Sequence, residues 1–375
     1  MPFDLAEANP VKIFSSSLRN HTSTNLNAFI NLCVGTTHQD VFLNKKFYAQ
    51  RRYYSSGDSQ KDLLLNPQWI TGFVDGEGSF GLKVYKSEGY KFGWRFEPFF
   101  QIKLNLRDLK VLQRIQIHFG GVGKISFEKN SAKYVVRVMD ELLRTVIPHF
   151  EMYPLLTKKF ADFELFRQIV LILSAKGHRT EEGFLKVLSL RYNLNKGISS
   201  ELIKLFPNLV PVDRPLVPER EISPEWLVGF VDGEGSFNIF TGEKLTNSLT
   251  TPVSRKVWLY FQITQHGRDI LLLERIATYL HCGSVKRRNT PAFDTCDYKL
   301  TGFDMIDSKI LPFFNKYSLQ SAKRLDYQYF VNAADIIRNK QSKQWIVEEF
   351  NKIKNIQSIM NKYAKNSLAG VENND

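Results

Sequence analysis

The chain has 375 residues, a mass of 43.4 kDa, and 51 Lys and Arg against 38 Asp and Glu, a length that predicts two or three domains. Its 43% hydrophobic, 13% aromatic and 24% charged residues exclude collagen-like, coiled-coil and wholly disordered chains. The net charge of +13 favours a polyanionic partner, because surface Lys and Arg attract phosphate at long range and release counterions on contact; a surplus that serves only solubility is the plainer alternative.

Residues 1–66 are rich in Ser, Thr, Asn and Gln, poor in hydrophobic periodicity, and expected to be poorly ordered. With 7 basic and 5 acidic residues they hold +2 of the total, which leaves +11 on the remainder. Arg51-Arg52-Tyr53-Tyr54-Ser55-Ser56 resembles the end of a mitochondrial presequence, although no Arg-rich amphipathic helix precedes it. Three cysteines, Cys33, Cys282 and Cys296, are too few for a disulfide framework or a Cys-rich zinc site and fit a reducing compartment. Apolar runs such as Ile169 to Leu173 fall far short of the roughly 20 residues that cross a bilayer.

From Pro67 onward the chain alternates between two periodicities. A short helix starts near Trp69 and stops around Gly76 to Gly78, which places Glu77 beyond it. Phe80, Leu82 and Val84 then alternate with polar or small residues, and the alternation resumes near Phe100, so two strands follow. Asp108 to Ile115 carries Leu and Ile at helical spacing, Gly120-Gly121 ends it, and Lys124–Phe127 and Tyr134–Val138 read as a second strand pair before a helical stretch near 140–172.

The order then recurs. WITGFVDGEGSF at 69–80 and WLVGFVDGEGSF at 226–237 agree at ten of twelve positions across 157 residues, far beyond composition, and Phe100-Gln101-Ile102, Arg107-Asp108 and Ile147-Pro148-His149-Phe150 find counterparts at Phe261-Gln262-Ile263, Arg268-Asp269 and Leu311-Pro312-Phe313-Phe314. Pro207, Pro211, Pro215, Pro218 and Pro224 forbid continuous helix between the copies. The expected organisation is a first repeat at 67–200, a Pro-rich linker at 201–222, a second repeat at 223–365 and a tail at 366–375. The fold class is α+β, with two pseudo-symmetric αββαββα repeats, each an antiparallel sheet backed by helices.

Gly72 and Gly76, like Gly229 and Gly233, lie four apart, so each duplicated helix presents a stripe without side chains and the two helices can meet there about a pseudo-two-fold axis. Such a contact, with Gly72 and Gly229 in it, crowds Asp75, Glu77, Asp232 and Glu234 into one region. Carboxylates so close repel unless a cation lies between them, and oxygen-only ligands suit Mg²⁺. Paired acids with Mg²⁺ in a basic protein imply phosphodiester chemistry. For Asp75 and Asp232 the plainer role is to satisfy backbone groups at the helix ends; for Glu77 and Glu234 a turn role is the alternative.

Strand alternation also defines an outward face. Lys83, Tyr85, Gln101, Lys103, Lys133 and Arg137 point away from the core in the first repeat, and Asn238, Phe240, Lys256, Trp258, Gln262, Lys286, Arg288 and Lys299 in the second. Basic, amide and aromatic side chains are what major-groove base edges and thymine methyls require, and a merely solvated sheet face is the alternative.

Ile70 to Gly78 (ITGFVDGEG) and Leu227 to Gly235 (LVGFVDGEG) resemble the LAGLIDADG motif, and roughly residues 66–365 look like a single-chain, two-repeat homing endonuclease of the fungal organellar intron type. The resemblance implies saddle-shaped sheets laid in a DNA major groove and metal-dependent cutting of both strands with two or more divalent ions. It implies metal binding by Glu77 and Glu234 with help from the carbonyls of Gly76 and Gly233, a monomer, and a mitochondrial location. The family's basic active-site residue falls on Lys159 and Lys323, each of which is alternatively a solvated helix charge. A strand glutamine that contacts metal-bound water in some members falls on Gln265, whereas Leu104 holds the matching place in the first repeat. Related proteins also act as RNA maturases on their own intron; loss of the two acids would favour that reading, and both are present.

Overall fold

The computed structural model describes residues 64–195, 197–244, 254–289 and 294–368; Arg51 to Ser56 and Cys33 lie outside them. Leu65 is buried and the Asn66 side chain accepts the Gln68 N–H at 2.8 Å, so the folded body begins ahead of the expected boundary. With Pro67 pre-set at the first helical position, this cap starts helix α1, Pro67–Glu77. Ser223 and Pro224 do the same for its duplicate, Pro224–Glu234.

The intervening chain forms strand β1 (Gly78–Lys86), strand β2 (Trp94–Asn105), helix α2 (Leu109–His118), strand β3 (Lys124–Glu128) and strand β4 (Ser131–Val136). A helical run follows, with a π-type turn at Leu142–Val146 and a last segment α3 at Ile147–Met152. Then come α4 (Lys159–Ser174), α5 (Glu181–Tyr192) and α6 (Ser200–Leu205). The second repeat supplies α7 (Pro224–Glu234), β5 (Gly235–Lys244), β6 (Ser254–His266), α8 (Ile270–Leu280), β7 (Ser284–Asn289), β8 (Asp294–Leu300), α9 (Leu311–Lys316), α10 (Lys323–Arg338) and α11 (Val347–Leu368). No described helix is long and apolar enough to cross a membrane.

The two four-stranded sheets are antiparallel, ordered β1-β2-β4-β3 and β5-β6-β8-β7, and the α+β reading holds. Their inner faces carry matching aromatics. Phe80 lies 5.2 Å from Phe100 and 5.1 Å from Phe150 between ring centroids, and Phe237 lies 5.1 Å from Phe261 and 5.3 Å from Phe314. β1 and β5 are edge strands, and each is covered by a different device. Arg191 donates to the Leu82 carbonyl at 2.9 Å, while Gln357 on α11 donates to the equivalent Ile239 carbonyl at 2.9 Å.

Four local expectations are corrected. The first helix stops within the expected Gly76 to Gly78, but Glu77 is its last residue rather than lying beyond it, and Glu234 ends its duplicate in the same way. The fourth strand is Ser131–Val136 rather than Tyr134–Val138, because Val138 is the N-cap position of the next helical turn. The helical stretch expected near 140–172 breaks between Met152 and Lys159, where its backbone donors are claimed by the first acid of the motif. Finally, Ser200–Leu205 is helical, so the segment without regular structure begins after it and ends at the Ser223 cap.

Candidate active site

The site is built on the seam between α1 and α7. A Cβ placed on Gly72 would stand 1.9 Å from the Trp226 carbonyl oxygen, and one on Gly229 would stand 2.0 Å from that of Trp69. One turn on, a Cβ on Gly76 would lie 3.3 Å from the Gly233 Cα. The helices therefore touch backbone to backbone, and glycine is required there by proximity rather than by φ.

The first acid of each motif locks the seam. Trp226 donates its indole N–H to Asp75 at 2.8 Å and Trp69 donates to Asp232 at 2.8 Å, each bond crossing between repeats. Asp75 also accepts from the backbone N–H of Leu156 at 2.9 Å, and from the backbone N–H and hydroxyl of Thr157 at 3.1 and 2.6 Å. Asp232 accepts from Gln320 N–H at 2.8 Å and from the N–H and hydroxyl of Ser321. Both are buried. Burial pushes their carboxyl groups above the usual range, and these donors oppose it. Both aspartates satisfy backbone groups, though of the turns before α4 and α10 and not of their own helix ends. Trp69→Phe keeps an aromatic ring, though a smaller one, and removes one donor to a buried carboxylate, so it should cost about 1–3 kcal/mol of stability from the lost bond and more for the volume left unfilled, checked by urea unfolding of the two proteins side by side.

A second pair of acids crosses the seam. Asp269 of the second repeat accepts the Lys158 N–H at 2.7 Å, and Asp108 of the first accepts the Ala322 N–H at 2.6 Å. Each first turn of α4 and α10 is thereby held by the opposite repeat. The sequence had paired Arg107-Asp108 with Arg268-Asp269 as repeat markers; their partners required the fold.

These turns aim the two lysines. Lys159 Nζ donates to the carbonyls of Val74 and Gly76 at 2.8 and 2.9 Å, and Lys323 Nζ to those of Val231 and Gly233 at 2.9 and 3.1 Å. Burial pulls both ammonium groups down while the surrounding carboxylates oppose it. Neither is a solvated helix charge. Each neutralises the carbonyl-rich, negative end of a motif helix.

Glu77 and Glu234 stand at those ends. Glu77 is exposed at its surface yet rests on densely packed protein, and this crowding together with the neighbouring Glu234 raises its carboxyl to about 7, against the pull of Lys323 and Lys159. Crowding likewise raises Glu234, opposed by Lys159 and by a hydrogen bond from Gln265. Because Gly78 pairs with Ile102 and Gly235 with Ile263, Leu104 is the counterpart of Gln265, and it is buried. The structure thus brings Glu77, Glu234, Lys159, Lys323 and Gln265 together, with polar support on one strand only. Among the described residues, no three or more His, Cys, Asp or Glu side chains form a group able to hold a metal.

The outward faces flank this centre. Lys83, Tyr85, Lys103 and Arg137 are exposed and Gln101 and Lys133 half-buried, with Arg137 one residue past β4. In the second sheet Phe240, Lys256, Trp258, Lys286, Arg288 and Lys299 are exposed, and Asn238 and Gln262 half-buried. Phe240 stacks on Trp258 at 4.1 Å. Several members of these faces went unread in the sequence. Arg95 lies over the Tyr85 ring at 5.6 Å, Tyr260 lies under Lys299 at 4.2 Å, Glu128 pairs with Lys103 at 2.6 Å and Lys133 at 3.3 Å, and Asp297 pairs with Arg288 at 2.6 Å. The same period-two count would have found Arg95 and Tyr260 from their registered partners Tyr85 and Asn238.

The family model of the LAGLIDADG endonuclease matches the chain twice, at residues 70–170 and 227–334, together more than half of it. The chain belongs to the LAGLIDADG endonuclease family. The probable intron-encoded endonuclease 2 of Neurospora crassa is 37% identical over 290 residues, covering 74% of this chain and 61% of that protein. The probable intron-encoded endonuclease 3 of the same fungus is 32% identical over 288 residues, covering 76% and 52%. The chain therefore spans about half to three-fifths of these relatives. Among solved structures, I-SmaMI bound to uncleaved DNA target in the presence of calcium ions is 35% identical with a TM-score of 0.73, covering 79% of this chain and 99% of that one. I-GzeII in complex with its DNA target is 33% identical with a TM-score of 0.71, covering 80% and 99%. This LAGLIDADG chain shares their two-repeat architecture along nearly their whole length.

Proposed function

We propose that this LAGLIDADG protein is a site-specific homing endonuclease that binds a long double-stranded DNA target as a monomer and hydrolyses both strands in a Mg²⁺-dependent reaction. The observation that carries this reading is the meeting of Glu77 and Glu234 across the glycine seam, each backed by a half-buried lysine and flanked by a basic, aromatic sheet face. The fungal relatives, named as intron-encoded, support a mitochondrial location. Loss of the two acids would have favoured an RNA-splicing role, and both Glu77 and Glu234 are present.

The residues suit a divalent cation. Glu77 and Glu234 offer carboxylate oxygens, and Gly76 and Gly233 offer carbonyls whose second lone pair is left by the lysine bonds. The protein supplies part of a coordination shell, which fits a Mg²⁺ site completed by phosphate oxygens and water. Bound there, the metal neutralises charge at the phosphate oxygens and makes water a stronger nucleophile. Lys159 and Lys323 fix the helix-end carbonyls and favour ionised glutamates. Gln265 orients Glu234 alone, which gives the two strands unequal surroundings. If its reading frame lies in an intron, as those of the fungal relatives do, the target is the joined flanking exons, and a supercoiled plasmid carrying that sequence should be linearised with Mg²⁺ and untouched with EDTA. Binding without linearisation under any divalent ion would overturn the nuclease reading.

A further inference from the structure

The basic face of the second sheet has an acid near its middle. Asp297, with its side chain 13% exposed, stands opposite Thr264 on β6, and the register puts Lys133 at the matching place of the first sheet and Lys103 where Thr264 stands. A carboxylate on a surface that meets phosphate is unfavourable on Coulomb grounds unless its charge is spent internally. Here it is. Asp297 accepts from the Thr264 hydroxyl at 2.7 Å, from Gln262 Nε2 at 3.0 Å, from Arg288 Nη2 at 2.9 Å, and pairs with Arg288 Nε at 2.6 Å. Three of these donors converge on Oδ1 and the fourth meets Oδ2, so most of the carboxylate's acceptor capacity is spent inside the protein.

The geometry of that clamp fixes what remains free. Side-on engagement consumes Nε and one Nη2 hydrogen of Arg288, leaving the Nη1 and Nη2 edge, which matches guanine O6 and N7 in the major groove. Gln262 also donates to Thr264 at 3.0 Å, so both amide hydrogens are used and its carbonyl oxygen is left as an acceptor.

We propose that Asp297 is a specificity-determining positioning residue: by clamping Arg288 and Gln262 it makes the second repeat demand a guanine at the base pair under Arg288. The proposal rests on the reading of this sheet face as the DNA-contacting surface. It is specific to one half of the target, since the first repeat has Lys133 in that place and lysines act as point charges rather than forks.

The test uses the full chain and a randomised duplex library, with binding measured in EDTA so that nothing is cut. Wild type should select a guanine at one base pair of the second half-site. Asp297→Asn should lose that preference by on the order of tenfold, while its affinity for non-target duplex rises because one negative charge has gone. Arg288→Lys, which keeps the charge and lacks the fork, should lose the same preference and guards against an unfolded Asp297 variant. In an Arg288→Ala background, Asp297→Asn should add nothing at that pair. Retention of every half-site preference by Asp297→Asn, or additive losses in the double variant, would overturn the clamp. Absence of any base preference in wild type would overturn the DNA-contact assignment of the face and the clamp with it.

Discussion

Glu77→Gln and Glu234→Gln should each abolish linearisation of a target plasmid, slowing it about a thousandfold or more, while target binding persists. Glutamine keeps the shape of the side chain but removes the charge that holds a divalent ion, and electrostatic stabilisation by such an ion is worth several kcal/mol at the transition state. Affinity for DNA should hold or rise, since each change removes a negative charge beside phosphates. Crowding and the facing acid already push Glu77 up to about 7, so the neutral side chain should also relieve strain in the empty protein. Plasmid linearisation on agarose, paired with a gel-shift titration, separates the two effects. Normal linearisation by either variant would return that glutamate to a structural role.

Gly72→Ala and Gly229→Ala should destabilise the protein by roughly 3 kcal/mol or more, at or above the upper end of overpacking costs. The sign is diagnostic, because Gly to Ala inside a helix ordinarily gains about 0.5–1 kcal/mol. Here the added methyl meets a carbonyl oxygen at 1.9 or 2.0 Å, and backbone cannot rotate aside as a side chain does. The helices would have to part, which also stretches the Trp69–Asp232 and Trp226–Asp75 bonds. Thermal or urea unfolding checks this, and an unchanged midpoint in both variants would mean that the seam does not bear on stability.

The seam itself was legible in the sequence because duplication displays it twice: Gly72 and Gly229 could be singled out without coordinates. The family resemblance marked Glu77, Glu234 and the two lysines. What Lys159 does was not legible, since a lysine opening a helix has the same local pattern whether it is solvated or bonded to the carbonyls of Val74 and Gly76. The break before α4 was hidden for a similar reason. Pro154 hints at it in the first repeat, but Ser318 occupies the matching place in the second, and the break recurs there because Asp232 claims the N–H groups of Gln320 and Ser321. One of the two differences between the motif copies also gained meaning only in the fold: Thr71 donates to the Tyr153 carbonyl at 2.9 Å, whereas its counterpart Val228 is simply buried. Asp297 stayed invisible because its partners sit on β6 and β7, and only the strand register brings them together.

The crossed bonds of Asp108 and Asp269 make the two halves unequal to their own completion. The turn that aims Lys159 is tied by Asp269, and the turn that aims Lys323 is tied by Asp108, so neither half carries everything its own lysine needs. A hybrid that joined one half of this chain to a foreign half would inherit a correctly placed lysine only if the newcomer presented an acid at the same spot. Exchange of halves among such proteins, a direct way to combine two DNA preferences, is thus constrained by a hydrogen-bond acceptor whose partner is a backbone N–H of the other half.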